Sequence, residues 1–247
     1  LTDINSTAGS LNFVRLAPQH EIRPILGVDF RNGAQQKFVG IAKNNAGFQE
    51  LNTYLSQHLH EKQDFPDRAP AFQHAFVIYP FHFSFDLTLR ENEFLGIRPQ
   101  DIIKLPMTKW KERLDKLVIL QTVSFQAGEQ NKIHFNMHRL LRSIDNNMLL
   151  SRLPKEEEGK PEDVMQPIGT LFEYYKDYPE IIVNTKKILD ACSIEFQFND
   201  PANHQNLKIY GDSEAEDMKL ITDLCYQGLP YRYGANPDQQ ILDRLEM

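Results

Sequence analysis

The chain has 247 residues, a formal net charge of −7 and 41% hydrophobic residues. A compact chain of about this length buries roughly 70–75% of its unfolded surface, so a real core is expected, in one domain with or without an appendage. The acidic balance excludes an isolated basic nucleic-acid module, and no apolar run approaches the ~18 residues of a membrane span.

The first element is the carboxyl end of a strand, Thr2-Asp3-Ile4-Asn5, running into a turn. Ser6 or Thr7 is placed to cap a helix that carries Ala8, Leu11, Phe13, Val14 and Ala17 and stops at Pro18. Arg23 to Phe30 is a short run with β-branched residues and reads as a buried strand ending in Asp29. Asn32-Gly33 signals a tight turn, and Lys37 to Ala42 is the returning strand. Asn44 or Asn45 caps a helix with Phe48, Leu51, Tyr54, Leu55 and Leu59 at helical spacing.

Residues 60–72 are polar with several prolines and read as a loop. Ala75 to Tyr79 and Phe94 to Ile97 are strands, and Pro99 opens a helix carrying Ile102, Ile103 and Leu105. The Phe81-to-Phe85 stretch alternates apolar residues and suits either burial or a hairpin arm. Leu117 to Leu120 is a buried strand, followed by a helix with Met137, Leu140, Leu141, Ile144 and Met148 on one face. Residues 155–162 form a charged loop, Pro179 starts another helix, and Glu195 to Phe198 is a last strand. A helix with Met218, Ile221, Leu224 and Cys225 is expected to end at Gly228, and a further one starts near Pro237. Cys192 and Cys225 both fall on apolar helical faces, which suggests two buried thiols in a reducing compartment. Alternating short strands and helices give an α/β fold with a largely parallel sheet, open or closed into a barrel.

Such folds place their chemistry at the carboxyl ends of strands. Asp3 and Asp29 both stand there, and two carboxylates side by side could hold a divalent metal for phosphoester hydrolysis. The plainer alternative is a turn-capping Asp3 and a half-exposed Asp29. His134 and His138 are four residues apart but lack the glutamate of a zinc-protease helix, and are read as ordinary helix residues. His82, among phenylalanines, is read as a packing residue. There is no glycine-rich phosphate loop and no nucleophile elbow.

In order along the chain, Leu1-Thr2-Asp3, Ile22 to Asp29, Gly40 to Asn44 with Gly47-Phe48, His138 to Ile144, Pro179 to Thr185 and Cys192 to Phe196 together resemble the PHP (polymerase and histidinol phosphatase) domain. The version they are most similar to stands at the amino terminus of the bacterial DNA polymerase III α subunits. Leu224 to Leu229, Arg232 to Gly234 and Arg244 to Glu246 resemble the lead-in to the polymerase palm. The resemblance implies a distorted (β/α)₇ barrel over residues 1–200, entered within its second strand, and a helical connector over 201–247. It also implies a cytoplasmic protein of DNA replication, truncated at both ends, whose partners are the palm and thumb of its own chain and a proofreading exonuclease. DNA would be met through the parent polymerase only.

Family members with an intact site carry a metal cluster of histidines and acidic residues. Here the family's Thr-Asp-His reads Thr2-Asp3-Ile4, the acidic strand-end residue is Asp29, and the later Asp-X-His pair is replaced by Thr122 to Phe125. Asp3, Ile4 and Asp29 are therefore expected to be a vestigial site without metal or catalysis, since metal affinity needs several placed ligands. The alternative is an active Zn, Mn or Mg phosphoesterase or 3′–5′ exonuclease, with ligands supplied upstream or by His82 or His134.

Overall fold

The computed structural model describes residues 1–82, 88–125, 128, 131–161, 163–198 and 209–246. They fall into two compact units, Leu1–Phe196 and Gln197–Met247. The first is built on a six-stranded sheet in simple sequential order: β1 (Thr2–Ile4), β2 (Gly27–Asn32), β3 (Gln35–Ala42), β4 (Ala75–Pro80), β5 (Glu93–Ile97) and β6 (Leu117–Ile119). β1 and β2, β4 and β5, and β5 and β6 pair in parallel, while β3 runs against both of its neighbours. The sheet is thus mostly parallel, with one reversed strand inserted by the β2–β3 hairpin. Gly33, at φ +56°, makes the left-handed turn residue of that hairpin, between paired Asn32 and Gln35.

Strand register sorts the side chains into two faces. Ile4, Asp29, Val39, Ile78 and Phe94 form one cross-strand row, and Asp3, Val28, Gly40, Val77 and Glu93 form the next row, on the opposite face. The Val28 face carries the larger core, where Phe30, Phe38, Val77, Tyr79, Leu95, Ile97 and Leu117 pack with Leu51 and Leu55 of helix α2 (Asn45–Glu61). Gly40 admits this helix: a Cβ there would lie 2.5 Å from the Leu51 methyl Cδ2. The other face carries a smaller cluster of Val39, Ile78, Val118, Leu120 and Ile188.

Helix α1 (Ser10–Leu16) precedes α2, and α3 (Asn131–Asp145), α4 (Ile168–Tyr174) and α5 (Pro179–Asp190) follow β6. Of the two cap candidates, Asn44 and Asn45, it is Asn44 that caps α2, its side chain accepting from Gly47 N–H at 3.0 Å. Helix α5 closes the outer edge of β6 with side chains. Thr185 Oγ1 accepts from Ile119 N–H at 2.8 Å, and Asn184 Nδ2 donates to Leu114 and Leu117 carbonyls.

Several local expectations give way. Helix α1 begins at Ser10 with no side-chain cap, while Ser6 accepts from Ala8 N–H in the turn before it and the Thr7 hydroxyl bonds to Asn52. Pro99–Met107 is a 3₁₀ helix, with Pro106 in its last turn. Residues 195–198 do not form a strand: the Asn45 amide takes both backbone groups of Glu195, at 2.6 and 3.1 Å, in place of a neighbouring strand. The apolar face predicted on α3 is exposed, with Met137, Leu140, Leu141 and Ile144 all at about half accessibility or more, while Ser143 is buried. Phe83 and Phe85, the heart of the proposed apolar arm, lie outside the described residues.

In the second unit, α6 (Glu214–Tyr233) is capped by Ser213 and has Glu214, Glu216 and Asp217 in its first turn, which suits the helix dipole. It runs through Gly228 and ends before Gly234, at φ +81°. Cys225 on this helix is exposed, so of the two thiols only Cys192 is buried. Helix α7 (Gln239–Glu246) follows. Among the described residues no helix is long and apolar enough to cross a membrane.

Candidate functional site

A cleft of about 1160 Å³ opens in the first unit, on the face that carries Ile4. It is reached by Ile4 from the end of β1, Arg31 from β2, Gln36 from β3, Pro80 from β4, Arg98 just after β5 and Leu120 to Thr122 just after β6. For the five parallel strands these are the carboxyl ends, where an α/β sheet splays and backbone and side chains converge. Its far wall comes from α3 and residues 156–161 and 163–166, through His138, Arg142, Glu157 and Asp163.

The two aspartates singled out in the sequence do not converge. Asp3 is in register with Val28, and Asp29 with Ile4, so their side chains leave opposite faces of the sheet. The Asp3 carboxylate turns toward the start of α1, where Oδ2 lies 3.0 Å from the position a Cβ on Gly9 would take. Ile4 shares the cleft face with Asp29 and is 53% exposed, an apolar side chain where a ligand would project.

Asp29 itself is buried and fully engaged. Arg31 donates to Oδ2 from Nε at 3.0 Å and Nη2 at 2.6 Å, and Gln36 Nε2 donates to Oδ1 at 3.0 Å. Both partners of the ion pair are largely shielded, Arg31 at 17% and Asp29 at 9% side-chain exposure. The chain continues outward, since Gln36 Oε1 accepts from Arg98 Nη2 at 2.9 Å. A cation already occupies the carboxylate, and a metal would have to displace Arg31 and then find its other ligands. Among the described residues no three His, Cys, Asp or Glu side chains gather to hold one. The described residues around Asp29 do not fit a metal centre.

The segment after β6 gives the cleft Gln121, Thr122 and Ser124, neutral side chains at the place where the family's Asp-X-His pair was looked for. His138 lines the cleft, but as a structural acceptor: its Nε2 takes the Gly159 N–H at 3.0 Å, and its ring packs edge-on to Phe125. Burial and then the Arg142 guanidinium lower its pKa, while Asp163 and Glu158 pull the other way, so the ring is held neutral. Arg142 itself is bonded to Glu157 and Asp145. His82 and His134 are not among the residues lining the cleft.

Arg31, Gln36 and Arg98 were missed by the sequence reading. Arg31 stands two positions beyond Asp29, the spacing that puts two strand side chains on one face, and that was the available signal. Gln36 and Arg98 join only through strand pairing.

No protein-family model matches the chain. Among curated proteins it is similar to the DNA polymerase III subunit alpha of Halalkalibacterium halodurans, 22% identical over 277 residues. The match takes in 99% of this chain and 24% of that protein, so the chain spans about a quarter of its relative's length.

Proposed function

We propose that this chain is the PHP-type domain, with its connector, of a DNA polymerase III α-like replicative polymerase, acting as a metal-free scaffold. The observation that carries the reading is the match to a polymerase α subunit along nearly the whole chain. The six sequential strands would then be the described part of a distorted (β/α)₇ barrel, and the cleft its former metal site.

The cleft supports loss of catalysis. Ile4 offers no donor atom, Asp3 faces away, and Asp29 is neutralised by Arg31. A scaffold role accounts for α3 as well. Its polar side turns inward, where Arg139 holds Glu158 at 2.7 Å, and its apolar side is left in the open. Such a face is the mark of a surface that another element covers, here assigned to the remainder of a longer polymerase chain. The palm and thumb are the proposed neighbours, a proofreading exonuclease a further partner, and the cytoplasm the compartment.

The test is metal content and nuclease activity. Purified from medium supplemented with zinc and manganese, the protein should carry far less than one metal per chain and leave a 3′-labelled primer intact. Stoichiometric metal, together with primer degradation abolished by Asp29→Ala, would overturn the scaffold reading in favour of an active phosphoesterase.

A further inference from the structure

Part of the far wall of the cleft hangs between two apolar anchors. Leu153 and Val164 are buried, and between them residues 154–161 bury no apolar side chain. The contacts that hold this strap to α3 are charged or polar. Arg139 Nε donates to Glu158 Oε1 at 2.7 Å, Arg142 pairs with Glu157, and Gly159 N–H donates to His138 Nε2 at 3.0 Å. Lys155 Nζ holds Glu158 from within the strap at 2.9 Å. Beside the Val164 anchor, the Asp163 carbonyl accepts from Ser124 and Phe125 N–H at 2.8 and 3.0 Å. Gly159 stands at a close approach: a Cβ there would lie 3.0 Å from Phe125 Cζ and 3.2 Å from His138 Nε2. Glu156, Glu157, Gly159 and Lys160 line the cleft. Glu157 Oε1 lies 3.8 Å from the position a Cβ on Gly33 would take, so the strap meets the β2–β3 hairpin as well as α3.

We propose that residues 154–161 form an ionic-strength-sensitive strap, which closes this side of the cleft when latched to α3 and opens as a unit about Leu153 and Val164. A segment with few buried apolar contacts opens locally at a much lower free energy than the core of a sheet. Salt weakens ion pairs near a surface, because the screening length falls from about 10 Å at 0.1 M to about 3 Å at 1 M. The burial of Leu153 and Val164 is not screened, so the two ends hold while the middle lets go. The latch has two grades. Arg142 and Glu157 are the more exposed pair and the one salt reaches first. Arg139 and Glu158 are the more shielded, at 26% and 6% side-chain exposure, so loss of the guanidinium leaves a carboxylate that only opening can hydrate. The strap would work in this way whether or not the chain belongs to a polymerase.

The experiment is amide hydrogen exchange of the 247-residue protein in low and high sodium chloride, corrected for the intrinsic rates of the free peptide in the same salt. The amides of Glu157, Glu158, Gly159 and Lys160 are the reporters, each hydrogen-bonded within the strap or to its anchors. Their exchange should rise together, about five-fold between 0.1 M and 1 M salt, the loss of one part-exposed ion pair. Arg139→Gln should raise it about ten-fold or more at 0.1 M, the loss of one charge-assisted contact. Gly159→Val keeps every charge and wedges the strap off Phe125, so it should speed the same amides without added salt. Lys176→Gln, which removes an exposed pair with Glu173 outside the strap, should exchange as the parent does. Amides of β4 serve as the reference, and their unchanged protection separates local opening from global unfolding. Strap amides that ignore either salt or Arg139→Gln, that rise only in step with β4, or that respond at Gly159 alone overturn the proposal. None of these results bears on metal content or nuclease activity.

Discussion

Two buried carboxylates, Glu93 and Asp29, sit in adjacent cross-strand rows of one sheet, and each is neutralised by arginine. Glu93 lies at the amino end of β5 on the core face, 1% exposed. It accepts from Tyr79 Oη, Arg68 Nη2, Arg90 Nη1 and the Arg90 N–H, all within 3.1 Å. Burial, and Glu93 next to it, push the Tyr79 phenol well above its ordinary pKa, so it stays a donor. Asp29 lies at the carboxyl end of β2 on the cleft face and has two side-chain partners, Arg31 and Gln36, both of which reach the open cleft. The amino ends of strands carry stability and the carboxyl ends carry function. In this molecule the same ion-pair chemistry holds a carboxylate in the core at one end and a carboxylate beside an open cleft at the other.

The comparison breaks first at Glu93. Glu93→Ala leaves Arg68 and Arg90, each 37% exposed, without the buried carboxylate that both of them hold. We expect urea unfolding to show a loss of about 3 kcal/mol. A loss under about 1 kcal/mol would mean that solvent reaches this cluster and that it is no more structural than the cleft.

Asp29→Ala should cost less, about 1–2 kcal/mol, because Arg31 and Gln36 can turn into the cleft and be solvated. Metal content should be unchanged, since the Arg31 guanidinium takes up the Asp29 carboxylate. A cost as large as that of Glu93→Ala would move Asp29 from the cleft to the core and remove the distinction between the two ends of the sheet.

How far this contrast was legible in the sequence depends on whether the information is local. The β-branched runs at Arg23–Phe30, Ala75–Tyr79 and Leu117–Leu120 marked strands, the Asn44-Asn45 pair marked the start of α2, and Asn32-Gly33 marked the hairpin, because each rests on neighbouring residues. Asp29 was visible as a strand-end acid. That Asp3 would face away from it depends on β1–β2 register, in which a shift of one residue exchanges the faces. The amphipathic period of α3 was also legible, but a period does not say which side faces inward. Here Arg139, Arg142 and Ser143 turn in, because Glu157 and Glu158 of a later loop receive the arginines. Glu93 and its arginines drew no notice, since Arg68 comes from a loop 25 residues away.

The smallest expected effect sharpens the contrast at the far wall of the cleft. His138 in the cleft wall is held neutral with its pKa lowered, by burial first and Arg142 second. The unfolded chain protonates an imidazole near pH 6.5, and the folded protein resists until a lower pH. The contribution of His138 to stability is therefore whole above about pH 6.5 and is lost as pH falls through the lowered folded value. Protonation puts a hydrogen on Nε2 and removes the acceptor for Gly159 N–H, so the wall around Gly159 should loosen first. Amide exchange at Gly159 followed from pH 7.5 down to about 5.5, corrected for intrinsic rates, should show protection falling in the parent. In His138→Gln, where a neutral oxygen can accept the same bond at every pH, protection should stay level. Equal pH dependence in the two proteins would show that the His138 imidazole does not set the acid response of the cleft wall.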